Sequence, residues 1–232
     1  MNDPAQPMPA TPLEALGPTL VEDVFIDDRT FHIVRPDDSD LLLENPLVKA
    51  AFNVDEYLPY WTDLWPAARM LAKTVLREEF RPGTAAIEIG CGLGLPGIAA
   101  LAAGLHVTFS DYDATALRFA AANARDNGFH DFELLQLDWK RVPDGLTFPI
   151  VLISDVLYEQ RNVEPIVALI AKMLAADGVC LLTDQDRPPA ARLREELPAA
   201  GLAFTTKPMH AGSPGKSRVK GTLYRITRQA GC

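Results

Sequence analysis

Past Thr84 the chain alternates between two kinds of apolar run. "TAAIEIG", "HVTFSD", "FELLQLD", "PIVLISD" and "VCLLTDQD" are near-continuous apolar stretches of strand length, whereas "LPGIAALAAG", "ATALRFAAANARDNG", "VEPIVALIAKMLAADG" and "PAARLREELPAAG" carry apolar positions at helical spacing. Strands without polar alternation are expected where helices cover both faces of a parallel sheet. The pattern therefore predicts a doubly wound α/β sheet. At the end, "LAFTTKP" and "GTLYRITR" flank only "MHAGSPGKSRVK", a connection too short for a crossover, so these last strands pair antiparallel. That brings the sheet to seven strands, mostly parallel, with an antiparallel C-terminal strand. Ahead of the core, "TLVEDVFIDDRTFHIVRP" alternates around Asp27-Asp28 and reads as a β-hairpin. "DDSDLLLENPLVKAAF" is a weak helix or a loop. Leu64, Ala68, Leu71, Ala72 and Val75 then recur at helical spacing, and Pro66 fits a first turn, which predicts a helix from about Pro66 to Glu79.

With 232 residues, 48% of them apolar, the chain has material for one packed domain. Residues 1–18, rich in Pro and Ala, are expected to be a disordered lead-in. The hairpin and helix follow over about 19–80, a cofactor-binding core over about 81–187, and substrate-side strands over about 188–232. The net charge of −9 argues against a phosphate-backbone partner, because such binding depends on Lys and Arg releasing counterions. The charge is unevenly spread. After Glu196 there is no acidic residue, while Lys207, Lys216, Arg218, Lys220, Arg225 and Arg228 all follow; a solvated basic face and a contact for an acidic substrate both fit. Cys91, Cys180 and Cys232 contain no C-x-x-C pair, and His32, His106, His130 and His210 are dispersed, so neither disulfides nor a metal is expected. The start has no basic and apolar leader pattern, and the most apolar stretch, Ala85 to Phe109, is interrupted by Glu88, Gly and Pro. The expectation is a cytoplasmic monomer away from membranes and without stable nucleic-acid binding.

The candidate chemistry lies in "EIGCGLGLPG", Glu88 to Gly97. From Gly92 it spells G-x-G-x-x-G, with Asp111 about 20 residues on, which is the dinucleotide fingerprint. From Glu88 it spells acidic-x-Gly-x-Gly-x-Gly, the glycine loop of S-adenosylmethionine enzymes. Charge separates the two. A dinucleotide brings a pyrophosphate that wants helix amides and nearby cations, yet from Pro82 through Leu117 there is neither Lys nor Arg. Glu88 would repel a phosphate but can hold a methionine ammonium, directly or through water. Asp111, ending "FSDYD" with Tyr112 and Asp113 beside it, is placed to accept from two ribose hydroxyls. In "LQLDWK", Asp138 can accept from an adenine amino group and Trp139 can cover the ring. Cys91 reads as a small residue filling the turn rather than as a reactive thiol.

"YWTDLWPAARMLAKTVL", "AIEIGCGLGLPGIAAL", "VTFSDYD", "LDWK" and "SDVLYEQ", in this order, resemble the seven-strand lysine methyltransferases. The likeness is close to the group that contains the electron-transfer-flavoprotein β-subunit methyltransferase and its bacterial relatives. It runs from about Val21 to about Ala190. It implies a Rossmann-like fold and S-adenosylmethionine as cofactor, with Glu88, Gly90, Cys91, Gly92 and Gly94 forming the methionine-end loop and Asp111 with Tyr112 at the ribose. It further implies that Asp138 and Trp139 border the adenine, that Trp65 lies over the cofactor cleft, and that Ser154 lies at the cofactor edge of the motif whose Asp155 and Tyr158 face the methyl acceptor.

Methyl transfer is an in-line displacement, so the protein supplies alignment and exclusion of water. A lysine acceptor, with pKa ~10.4 when free, must first lose its proton. Asp155 is expected to orient the amine and Tyr158 to hydrogen-bond at the site wall. Two other readings stay open at this point. One is a small-molecule or nucleic-acid N-methyltransferase, disfavoured for bases because "SDVLYE" lacks an Asn-Pro-Pro-Tyr-type motif. The other is a cofactor-binding partner protein without turnover.

Overall fold

The computed structural model describes Ala10 and residues 16–44, 46–212 and 218–229. Near the N-terminus, β1 (Thr19–Ile26) and β2 (Arg29–Pro36) form the hairpin, followed by α1 (Asp40–Leu43), α2 (Pro46–Asp55) and α3 (Pro66–Arg77). The core proceeds through β3 (Ala85–Ile89), α4 (Leu95–Ala102), β4 (His106–Asp111), α5 (Ala114–Asp126), β5 (Glu133–Gln136), β6 (Phe148–Ser154) and α6 (Val163–Met173). It ends with β7 (Leu174–Asp184), α7 (Pro189–Ala199), β8 (Leu202–Ala211) and β9 (Val219–Arg228). The seven strands lie in the order β5-β4-β3-β6-β7-β9-β8. Pairing is parallel from β5 to β7, and β9 runs antiparallel to both of its neighbours. Because β3 leads to β4 on one side and β6 pairs on the other, strand order reverses at β3, which opens a crevice at the carboxyl ends.

Both faces of the central strands are buried, which accounts for their unbroken apolar runs. In β6, Ile150 and Leu152 pack with α4 and α5 residues such as Ile98 and Ala120, while Val151 and Ile153 pack with Ile166 and Ile170 of α6. In β3, Ala86 belongs to the first core and Ile87 and Ile89 to the second. Strand alternation therefore turns Glu88 toward α4.

The hairpin is tied to the core by Asn123 of α5 and by Asn127, which caps the end of that helix. Asn123 is fully buried; its side chain accepts from the Val34 N–H at 2.8 Å and donates to the Val34 carbonyl at 3.1 Å. It also donates to the Leu93 carbonyl in the glycine loop at 3.0 Å. Asn127 makes the same pair of bonds to His32, at 3.0 and 2.8 Å. Two amides, one on the helix and one at its cap, thus satisfy backbone groups along β2 that no strand among the described residues pairs.

Two boundaries differ from the sequence expectation. The sixth helix stops at Met173 instead of running to Gly178, and β7 starts at Leu174 with a register shift: Phe148 pairs Leu174, but Ile150 pairs Val179. Arg228 explains the stop, since its guanidinium donates to the Leu174 and Ala171 carbonyls at 2.7–2.9 Å, replacing the bonds of another helical turn. The end of the expected lead-in is also packed: Leu16 is 1% exposed in the first core, and the Pro18 carbonyl accepts from the Asp37 N–H. The rest of residues 1–18, apart from Ala10, lies outside the described residues.

Candidate active site

The crevice is a cleft of about 170 Å³ at the carboxyl ends of β3, β4 and β6. Its floor is the loop from Gly90 to Pro96, and its roof is the segment from Glu56 to Trp65 ahead of α3. Gly94 caps α4 with φ +84, and a Cβ there would lie 2.9 Å from that of Ala120. Only glycine allows this turn to close onto α5. Every anticipated site residue lines the cleft except Glu88.

Glu88 sits behind the loop, 0% exposed, and one of its oxygens, Oε2, accepts from the Gly97 N–H at 2.8 Å inside the first turn of α4. Its Oε1 has no hydrogen-bond partner among the described residues. Burial pushes this carboxyl well above its ordinary range, with the Gly97 amide opposing. Glu88 thus braces the loop and the first turn of α4 from behind. The carboxyls that line the cleft beside the loop are Asp111 and Asp138, acceptors that suit the hydroxyls and amine of an adenosyl ligand and disfavour a phosphate.

At the tip of β4, Asp111 accepts from the Gly92 N–H at 2.9 Å and the Asp113 N–H at 3.0 Å. It keeps part of its surface toward the cleft. Burial raises its pKa to about 6, and the backbone amides oppose the rise. Its neighbour Asp113 caps α5. Its Oδ1 does accept from Thr115 N, but its Oδ2 accepts from both the Tyr57 hydroxyl and Trp61 Nε1. One carboxylate 2% exposed therefore starts α5 and holds the roof down. Tyr57 and Tyr112 rings meet at 5.9 Å beneath it. Asp138 accepts from Lys140 N at 2.9 Å, shaping the turn that presents Trp139 to the cleft. Cys91 is buried and its thiol is raised well above the ordinary range by burial, which suits a packed turn residue rather than a nucleophile.

The other end of the cleft holds Ser154, Asp155, Tyr158 and Trp65. Asp155 adopts φ +59, a left-handed conformation uncommon outside glycine. Both of its oxygens are engaged: Oδ1 with the Arg187 guanidinium, and Oδ2 with Gln185 Nε2 at 2.7 Å and Ala67 N at 3.3 Å. Its pKa is raised by burial, against the lowering pull of Arg187. Arg187 also reaches Asp184, which is 0% exposed and raised to about 6 by burial, and lies 5.7 Å over the Trp65 ring. Tyr158 packs on Tyr60 with centroids 4.7 Å apart, and Tyr60 meets Trp65 edge-on at 6.2 Å. Trp65 Nε1 donates to the Tyr60 carbonyl at 2.7 Å. Sequence reading missed Tyr57, Tyr60, Trp61, Gln185 and Arg187. The aromatic run before Pro66 was an available signal for the first three, whereas nothing local marks Gln185 or Arg187.

Among the described residues, no group of His, Cys, Asp and Glu is placed to hold a metal ion, and no helix is long and apolar enough to cross a membrane.

With this geometry in place, the likeness to known proteins is specific. A family model described as lysine methyltransferase matches residues 60–195, more than half of the chain. The histidine protein methyltransferase 1 homolog of Dictyostelium discoideum is 36% identical over 129 residues, 53% of this chain and 42% of that one. Protein N-lysine methyltransferase METTL21A of Xenopus tropicalis is 28% identical over 130 residues, covering 53% of this chain and 60% of its own. The chain spans about half the length of the curated relatives it matches. Among solved structures, the ribosomal protein L11 methylase of Lactobacillus delbrueckii subsp. bulgaricus superposes with a TM-score of 0.55 at 20% identity, covering 70% of this chain and 79% of that one; this likeness speaks to the fold. S-adenosylmethionine rather than a dinucleotide is accordingly the cofactor, and the chain belongs to the lysine methyltransferase family.

Proposed function

We propose that the protein is a cytoplasmic, monomeric S-adenosylmethionine-dependent methyltransferase that acts on a lysine side-chain amine of another protein. The observation that carries the reading is the make-up of the acceptor end. Two buried carboxylates, Asp155 and Asp184, face a single guanidinium, Arg187, beside the rings of Tyr60, Trp65 and Tyr158. An unbalanced negative charge next to aromatic faces attracts an alkylammonium and repels a phosphate.

When bound, the cofactor supplies an electrophilic methyl group. The residues of the chain do the rest. Asp111 holds the ribose, and Glu88 braces the glycine loop from behind. Tyr57, Trp61 and Asp113 keep the roof closed against water. At the acceptor end, enclosure lowers the amine pKa from ~10.4, so that the neutral, nucleophilic form becomes accessible. Both Asp155 oxygens already hold donors, which supports a role in positioning through charge rather than as a free general base.

The relative from Dictyostelium is named for histidine methylation, so histidine is the second acceptor to test. Purified protein with radiolabelled S-adenosylmethionine is added to fractionated lysate, and the labelled product is hydrolysed and read by mass spectrometry. Protease-sensitive label recovered as ε-N-methyllysine is the expected result. Methylhistidine, nuclease-sensitive label or label in the small-molecule fraction would each overturn the lysine assignment. Cofactor binding without label would overturn the enzyme reading.

A further inference from the structure

A second concavity, of about 680 Å³, lies between the turn end of the hairpin, Val24 to Asp27, and strand β8. The third helix borders both this groove and the cleft. Trp65 and Ala68 line the cleft, whereas Arg69, Lys73 and Arg77, at the four-residue spacing of a single helix face, line the groove. From the opposite wall β8, β9 and the approach to β9 add Lys207, Arg225 and Arg218. Six cations thus line the groove with two carboxylates, Asp27 and Glu78, and a third, Glu22, holds Arg69 from outside it. That leaves an excess of three positive charges in a chain whose net charge is −9.

These groups are not a loosely solvated face. Asp27 takes Arg77 through two bonds of 2.7 and 2.6 Å, with Lys73 at 3.9 Å. Glu78 holds Arg225 at 2.8 Å, and Glu22 of β1 holds Arg69 at 2.5 Å. The ion pairs fix a cationic frame around the groove. Lys207 and Arg218 are exposed and show no ion pair among the described residues. The wall they stand on is a sheet edge: β8 is the last strand of the sheet, and Thr205 to Pro208 are exposed along it. Three of the basic residues that follow Glu196, Lys207, Arg218 and Arg225, stand on this face, and none of them lines the cofactor cleft.

We infer that this groove binds an acidic, extended segment of the methyl-acceptor protein, so that the enzyme selects lysines with aspartate or glutamate nearby in the sequence. The inference rests on the lysine-transfer reading above. An acidic peptide suits the groove better than a nucleic acid. A phosphate backbone gains affinity from many contacts at once and would meet Asp27, Glu78 and the overall negative charge, while a few carboxylates can settle on Lys207, Arg218 and their neighbours. Reach is also adequate. From Ala68 to Arg77 the helix rises roughly 13 Å, the span of about four extended residues, so one short segment can occupy both sites.

The test uses the full chain and short fluorescein-labelled peptides, each with one lysine, flanked by acidic, neutral or basic residues, together with a single-stranded oligonucleotide. Fluorescence anisotropy at low salt is expected to show the acidic peptide binding roughly tenfold or more tighter than the neutral one. The double variant K207E/R218E should remove that difference, with S-adenosylhomocysteine affinity by calorimetry unchanged as the control for folding. The proposal is overturned if acidic and neutral peptides bind alike or if the double variant retains the preference. It is equally overturned if the oligonucleotide outcompetes the peptide, or if the variant abolishes a salt-dependent self-association, which would make the occupant a second copy. Methyl transfer to the same peptides separates the two ideas. Lysine methylation indifferent to flanking charge sinks the groove, whereas acidic-peptide binding with a product other than ε-N-methyllysine supports the groove and sinks only the acceptor assignment.

Discussion

Asp111→Asn exposes a conflict between stability and binding that the site geometry sets up. The carboxyl is raised from 3.8 to about 6 by burial, so the fold favours its neutral form. The stability contributed by that preference is complete below pH 3.8, is lost as pH rises to about 6, and is absent above it. A shift of this size corresponds to at most about 3 kcal/mol at neutral pH, and less because the cleft admits water to the group. Asparagine removes the charge but can accept from only one of the Gly92 and Asp113 amides, a loss of about 1 kcal/mol. The variant is therefore expected to be about 1–2 kcal/mol more stable than wild type at pH 8 and equal to it or weaker at pH 4. Cofactor affinity should move the other way, by tenfold or more, since charge-assisted bonds to the ribose are worth roughly 1.5–3 kcal/mol each. Urea unfolding followed by circular dichroism at the two pH values gives the first quantity, and calorimetry with S-adenosylhomocysteine gives the second. A variant destabilised equally at both pH values would refute the desolvation argument. Unchanged affinity would remove Asp111 from the ribose.

Gly97→Ala would place a Cβ 2.3 Å from Phe109 and 2.6 Å from Glu88 Oε2, so a loss of about 2–4 kcal/mol in denaturant unfolding is expected despite the better helix propensity of alanine. Asn123→Ala removes three bonds that join the hairpin, α5 and the glycine loop, and should cost about 2–4 kcal/mol in the same measurement; a change under 1 kcal/mol would mean the hairpin is held by its apolar contacts and its other polar ties, such as Asn127 to His32. Asp155→Asn leaves Arg187 short of a charged partner, which predicts a loss of about 1–3 kcal/mol in stability and a fall in turnover on the order of 10², with S-adenosylhomocysteine affinity within a few-fold of wild type. Lost cofactor binding with retained turnover at saturating cofactor would reassign Asp155 to the cofactor side.

What could be read from the sequence was whatever depends on near neighbours. Continuous apolar runs gave the central strands because both of their faces are covered, and the hairpin declared itself by alternation around Asp27. Glu88 was legible as an acidic residue before the loop but not as a group sunk behind it; that follows from strand alternation combined with the close approach of α4 at Gly97. The end of α6 was misjudged because the cap is Arg228, 57 residues from Ala171, and the residues between carry no sign of it. The acceptor end has the same character. Asp155 meets Arg187 across 32 residues and the Ala67 amide across 88, and Asp113 meets Tyr57 across 56. Helix periodicity and turn chemistry report on spacings of a few residues, so partners brought together by the sheet stay hidden until the fold is known.

The reach of Asn123 has a consequence for how the molecule opens. Its single amide touches Val34 in the hairpin and Leu93 beside the glycine loop, so neither segment can loosen without breaking bonds that the other shares. In native-state hydrogen exchange the β2 amide at Val34 and those around Leu93 should then open as one cooperative unit, with cofactor slowing exchange in both. The hairpin, which among the described residues makes no backbone pairing with the main sheet, would thereby report on occupancy of a cleft that it does not line.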